Sequence, residues 1–271
     1  MTIDQRASWL QHGLALVIGL IMAVPILVAI NTSLKTPAEV LDVLSLPGSA
    51  TFANYAEAWR RLGATFANSL MITVPGVALS VLVGAIAAYP LAQIKGRLGF
   101  IIYMFLLTGM LVPYQIVQIP LFSLMRTLGL YNSIPGMWLV HVAYGVPICT
   151  FFMRNFFASV PRSMFEAAML DGCGHAQYFY KVLLPASSSG LAALSVIQSR
   201  AIWNDLLFAM TLTNNDNARP VTVALNALTS GFQVQHGTLM AATIITIGPI
   251  LLAYLLFQKA FVAGVLGGSS K

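Results

Sequence analysis

The sequence predicts an all-α membrane protein with six transmembrane helices and one short helix on the cytoplasmic side. Three observations lead there. Of the 271 residues, 58% are hydrophobic and only 8% are charged, with a mean hydropathy of +0.81. A soluble domain is about 45–50% apolar and about 25% charged, so this chain lacks the charge to cover a water-facing surface. Its uncharged runs are long enough to cross a bilayer, and one polar segment, 161–185, separates the fourth run from the fifth.

The net charge of +6 comes from 14 basic residues scattered singly or in pairs. Without a basic run there is no anion-binding patch, so nucleic acid is not an expected partner. Cys149 and Cys173 are too few for a disulfide scaffold and read as small packing residues. The apolar run 13–30 is 18 residues long, beyond a usual signal-peptide core, and no small-residue cleavage site follows it. It reads as a retained transmembrane helix.

A helix needs about 20 apolar residues to cross the hydrocarbon core. The qualifying runs are 13–34, 62–93, 98–125, 127–153, 182–199 and 221–258. The fifth meets Arg200 and resumes through 201–212, which predicts one long interrupted helix. The sixth has a polar lead-in from Gln233 to His236, so its helix is expected from about Gly237. The chain then forms a single transmembrane domain, 1–271, without internal repeat or low-complexity tract.

Six spans put both termini on one side. That side collects Arg6, Lys95, Arg97, Arg154, Arg162, Lys181, Lys259 and Lys271, against Lys35, Arg60, Arg61, Arg126 and Arg219 on the other. Basic residues favour the cytoplasmic face, and the long loop 35–61, holding three of the five, counts little. Both termini are therefore expected in the cytoplasm and 35–61 outside. Within that loop, 51–59 predicts a short amphipathic helix on the outer surface, with Phe52, Tyr55 and Trp59 on one stripe.

The segment PRSMFEAAMLDGCGHAQYFYKVLLP, 161–185, is the most polar long stretch on the cytoplasmic side. Ser163 and Glu166 have the spacing of a capping box. Ala167, Ala168, Met169 and Leu170 are strong helix formers, and Asp171-Gly172 supplies the stop. A helix of two turns is predicted, then a turn over 172–174 and a second helix from about His175. Pro185 starts or kinks the fifth span. So short a helix is unstable alone in water and needs something to pack against. Met164, Phe165 and Met169 offer apolar contact, and the small Ala167 and Ala168 allow close approach. Helix physics alone allows a second reading, an interfacial helix resting on lipid headgroups.

EAAMLDG, nine residues, then VLLP resembles the EAA loop of permease subunits of binding-protein-dependent ABC importers, with Val182 in place of the usual Ile. The similarity extends over nearly the whole chain. It includes Asn68-Ser69-Leu70, Ala87-Ala88-Tyr89-Pro90-Leu91-Ala92, Val112-Pro113, Ile119-Pro120-Leu121 and Leu128-Gly129-Leu130. It continues through 151–157, Val160-Pro161, Trp203-Asn204-Asp205 and Phe261-Val262-Ala263-Gly264. The pattern is similar to the smaller six-span permease of the maltose-type carbohydrate importers. The resemblance implies a type I importer fold and a bacterial plasma-membrane location. It also implies a second permease, two ATP-binding subunits and an extracytoplasmic solute-binding protein as partners. On this reading Glu166, Ala167, Ala168, Asp171 and Gly172 belong to a coupling helix seated in a groove of the ATPase. ATP and Mg are then bound by that partner, and this chain carries no cofactor of its own. The solute stays open among mono-, di- and oligosaccharides, polyols and glycerol-phosphate-type solutes.

Arg200 lies 15 residues beyond Pro185, roughly 22 Å along a straight helix and near mid-bilayer. An arginine there either lines a substrate path or subunit interface, or is structural and paired with Asn204 or the partner permease. Tyr114, Gln115, Gln118, Trp203 and Asn204 have side chains that suit a sugar, and equally suit polar contacts between helices. His141 has no second ligand at metal spacing and reads as packing. No nucleophile–base pair, metal cluster or G-x-x-x-x-G-K loop is present, so ATP hydrolysis is not expected of this chain. The competing class is a motor-independent channel or ion-coupled transporter. It is disfavoured because Asp205, near one end, is the sole acid within the spans.

Overall fold

A computed structural model describes residues 3–94, 96–230 and 234–267. Lys95, Gln233 and Lys271, used above for charge and helix boundaries, lie outside the described residues. The helices in chain order are α1 (Ile3–Ser33), α2 (Ala53–Gln93), α3 (Arg97–Thr108), α4 (Tyr114–Thr127), α5 (Ile134–Ser159), α6 (Arg162–Leu170) and α7 (His175–Tyr178). They continue with α8 (Leu184–Ala186), α9 (Ser188–Trp203), α10 (Leu207–Leu212), α11 (Val221–Ala227) and α12 (His236–Gly267). By length and composition, four described helices are able to cross a membrane: α1 from Gln11, α2, α5 and α12 as far as Gln258. Two bent pairs bring the total to six if each counts as one span.

Both bends correct the expectation of continuous helices. Run 98–125 breaks at Val112-Pro113, and the two halves meet at 92°. Pro113 pushes the residue before it out of the helical region, and Val112 is extended at φ −75°, ψ 114°. Run 182–212 does not form one interrupted helix. A π-helical turn, Phe179–Leu183, leads into α8, the chain turns at Ser187, and the halves meet at 75°. Helix α9 then ends at Trp203, and α10 is a separate element.

The chain divides into two compact units, described separately. The first comprises Met1–Gly63 and Ala224–Ile247. Its loop is built, and the expected separate surface helix is absent, because 53–59 forms the first turns of α2. Lys35 is buried, and its ammonium donates to the Asp42 carbonyl and to Ser45 Oγ. Asn31 Nδ2 reaches the carbonyls of Val43 (3.2 Å) and Ser45 (2.8 Å). Asn54 Nδ2 joins the carbonyls of Ser33 (2.9 Å) and Lys35 (2.8 Å). Glu39 accepts from Thr36 and from the Gly48 N–H. The carbonyl of Ser33 at the end of α1, and backbone groups of the loop, are thereby paired. Phe52 and Trp59 remain exposed, while Tyr55 Oη shares a hydrogen bond with Ser33 Oγ at 2.8 Å.

The second unit, Ala64–Val223 with Gly248–Lys271, holds the main hydrophobic core. Val77, Ser80, Val81, Gly84, Ala85 and Ala88 recur every three or four residues and are buried, forming one stripe of α2. Leu79, Leu82, Val83 and Ile86 on the other side are exposed. Lipid tails are as apolar as leucine, so association of such helices depends on close packing of small residues. On α5, Met137, His141, Gly145, Cys149, Met153 and Phe157 repeat every fourth residue, all buried. Cys149 lies against Gly84 with no exposure, the packing role its residue type implies. Arg154, counted above as a loop charge, sits within α5. It donates to the Leu91 carbonyl at 3.1 Å, and its guanidinium covers the Tyr103 ring at 4.2 Å.

Candidate functional site

The polar segment folds as a nine-residue helix, a turn and a second helical start. The predicted capping box is not formed. Pro161 is the N-cap, without a side-chain hydrogen bond, and Ser163 already lies inside the first turn. Proline's fixed φ starts the helix directly after it, so Ser163 lacks the non-helical backbone a cap requires. Glu166 Oε1 instead accepts from Arg162 Nε at 3.1 Å, one turn back. The stop is formed as expected. Gly172 has φ +82°, the Cys173 N–H donates to the Ala168 carbonyl (2.9 Å), and the Gly172 N–H donates to Met169 (3.1 Å). These two bonds are the Schellman closure, and the left-handed conformation at its end favours glycine.

The helix has two distinct faces. Glu166, Ala167, Leu170 and Asp171 are exposed, and Leu170 is 89% exposed. Ala168 is turned inward and buried. Phe165, read from the sequence as an outward contact, packs edge-on against Tyr178 at 5.1 Å and beside His175 at 5.5 Å. Tyr89, near the end of α2, completes this joint. Its Oη lies 3.0 Å from His175 Nδ1, and its ring lies 5.3 Å from Phe179 and 6.1 Å from Tyr178. The α6–α7 segment is thus fastened to α2 through aromatic contacts and one hydrogen bond.

A cavity of about 600 Å³ opens between α4, α5, α9 and α10. Of the six residues suggested for a substrate path, Tyr114 and Asn204 line it. Gln115 is exposed on α4, and Gln118 is half-buried outside the cavity. Trp203 is buried edge-on against Phe66 at 5.6 Å. Arg200 is exposed in the last turn of α9 and does not line the cavity. Its distance from Pro185 is not a straight rise, because the chain bends at Ser187. Its carbonyl accepts from the Asn204 N–H at 3.2 Å, but its guanidinium is not paired with Asn204 among the described residues.

Sequence reasoning missed the rest of the lining. His141, read as packing, is 6% exposed, with Nε2 3.9 Å from Asp205 Oδ2. Asp205 uses both carboxylate oxygens on the N–H groups of Phe208 (3.3 Å) and Ala209 (3.1 Å), capping α10. A carboxylate suits the positive end of a helix, so this acid has a structural task. Phe208 stands 4.8 Å from Tyr144 and 5.8 Å from Tyr114, ring centre to ring centre. Gln198 reaches the cavity because Gly145 faces it. A Cβ on Gly145 would collide with the Gln198 amide and come within 2.8 Å of Ser80 Oγ. The sequence signals pointing here were Tyr114 and the Trp203-Asn204-Asp205 segment, which ends α9 beside the cavity.

Residues 80–267 match the family described as binding-protein-dependent transport system inner membrane component. The diacetylchitobiose uptake system permease protein of Streptomyces coelicolor is 33% identical over 98% of this chain and 90% of its own. The trehalose transport system permease protein of Mycobacterium tuberculosis is 31% identical over 98% of each. A bacterial alginate ABC transporter, solved with a periplasmic protein carrying an alginate pentasaccharide, has a chain of similar fold. The TM-score is 0.71, over 94% of each chain at 13% identity. The chain belongs to the family of inner-membrane permeases of binding-protein-dependent ABC import systems, and has the type I permease fold.

Proposed function

We propose that this chain is the smaller, six-span permease of a sugar importer that works by alternating access. In that complex it pairs with a second permease and two ATP-binding subunits, and receives solute from an extracytoplasmic binding protein. Uptake of diacetylchitobiose and trehalose by the relatives named above supports the solute class. The observation that carries the motor contact is α6. It is two turns long, closed by Gly172, joined to α2 through Tyr89, and presents Glu166, Ala167, Leu170 and Asp171 outward. An 89%-exposed leucine flanked by two acids fits a protein groove better than open water. Ala168 supports this face from inside and does not itself reach a partner. ATP and Mg belong to the ATPase, and this chain transmits its closure as a lever.

The termini and α6 are assigned to the cytoplasm, and the loop 35–61 to the outside, from the distribution of lysine and arginine. Affinity purification of a tagged chain from mild detergent tests the assembly. Recovery of an ATPase and a second permease is the expected result. Recovery of a homo-oligomer alone supports a motor-independent channel instead.

A further inference from the structure

We propose that the cavity between α4, α5, α9 and α10 is a binding site, within this chain alone, for one unit of an uncharged sugar. The inference rests on the sugar-importer reading and specifies which of this chain's residues touch the solute.

Gln198 is 4% exposed, yet its amide makes no hydrogen bond among the described residues and faces the cavity. The His141 imidazole is also buried, and its Nε2 lies 3.9 Å from Asp205 Oδ2, beyond hydrogen-bonding distance. The phenol hydroxyls of Tyr114 and Tyr144 and the amide of Asn204 also lack hydrogen bonds among the described residues. Gln198 and His141 are buried, Tyr144 is half-buried, and Tyr114 and Asn204 are exposed, so the polar groups of five side chains line one space that suits a hydroxylated guest.

The shape of that guest follows from the other walls. Phe208 carries Tyr144 and Tyr114 beside it at 4.8 and 5.8 Å. The three rings, tilted by 53° at each pair, form an aromatic wall of the cavity that Gln198 and Asn204 also line. A pyranose ring presents an apolar C–H face and a rim of hydroxyls, which suits a cavity lined by both rings and amides. Amides donate and accept at fixed angles, as neighbouring hydroxyls require.

Charge narrows the class. Neither lysine nor arginine lines the cavity, and its acid, Asp205, is committed to capping α10. A carboxylate or phosphate on the solute would meet this acid with no cation to offset it. The site therefore takes neutral sugars and rejects uronic acids and sugar phosphates. The acidic polysaccharide imported by the structurally similar alginate transporter is of the rejected kind.

Saturation-transfer NMR tests this on the full-length chain in lipid nanodiscs, with whatever subunits co-purify. The probes are trehalose, melibiose, N,N′-diacetylchitobiose, xylose and galacturonate. At least one neutral probe is expected to show saturable transfer, reduced about five-fold or more by Gln198→Leu and by Tyr144→Phe, with none for galacturonate. Tyr144→Phe removes a single oxygen and guards against a folding artefact, and thermal unfolding verifies both variants. Absence of saturable transfer from every neutral probe, equal binding of galacturonate, or wild-type transfer in both variants overturns the proposal. Uptake of the same sugars by the native host separates the two readings. Loss of uptake on deleting the gene supports the importer. Wild-type uptake in both variants removes the cavity site and leaves the importer standing.

Discussion

Gly172 sits at φ +82°, where its N–H and that of Cys173 close α6 onto the carbonyls of Met169 and Ala168. A β-branched residue held there stores about 1–3 kcal/mol of backbone strain. Gly172→Val is therefore expected to insert normally but to recover several-fold less ATPase on affinity purification, read from the ratio of subunits. Glu166 behaves differently. Its ion pair with Arg162 is exposed on both sides, and such a pair is worth about 0–1 kcal/mol. Glu166→Ala should leave the thermal unfolding of the chain unchanged while reducing ATP-driven sugar uptake. Near-normal uptake would remove Glu166 from the coupling surface. The Asp171-Gly172 stop was legible because glycine is the residue that adopts this conformation without strain. The start of α6 was misread because Ser163 and Glu166 match a capping pattern that Pro161 pre-empts.

Among the elements, α2 and the α6–α7 segment form the joint most open to test. Tyr89→Phe keeps the ring among Tyr178, Phe179 and His175 but deletes the bond to His175 Nδ1. A neutral hydrogen bond contributes about 0.5–1.5 kcal/mol net. Amide exchange in α6 and α7 is expected to quicken several-fold, with the buried stripe of α2 unchanged; unaltered exchange in α6 would show that the joint holds by ring packing alone. The outer loop is the second case. The Thr36 N–H, then its hydroxyl, then the Gly48 N–H hold the Glu39 carboxyl below its usual value of 4.5. A depressed pKa stabilises the folded loop above that value and loses the contribution as pH falls through the lowered one. Protection of the Gly48 amide, taken relative to its intrinsic exchange rate at each pH, should therefore persist at neutral pH and fall only on acidification below about 4.5. A fall in protection already at pH 6 would contradict the clamp. The order of this loop was not legible in the sequence, because its ties run from side chains to distant backbone groups, which no local pattern displays.

For the whole molecule, topology carries the prediction. Cysteines introduced singly on a Cys149→Ala, Cys173→Ala background should react with impermeant maleimide in intact spheroplasts at Leu44, and not at Leu170. The reverse labelling would invert the orientation and place α6 away from any cytoplasmic motor. Composition and run length alone determined that the chain is helical and belongs in a membrane, because lipid admits so few ways of satisfying backbone polar groups. The glycine stop of α6 and the beginning of α12 were equally local matters of helix propensity and termination. Only the tertiary structure decided that Ala168 and Phe165 face inward, that Arg200 and Trp203 leave the cavity, and that Gln198, His141 and Tyr144 enter it. Helical periodicity marks one face of a helix as different from another. Which neighbour meets that face depends on crossings such as Gly145 against Gln198 and on the turns at Pro113 and Ser187, where distant segments approach.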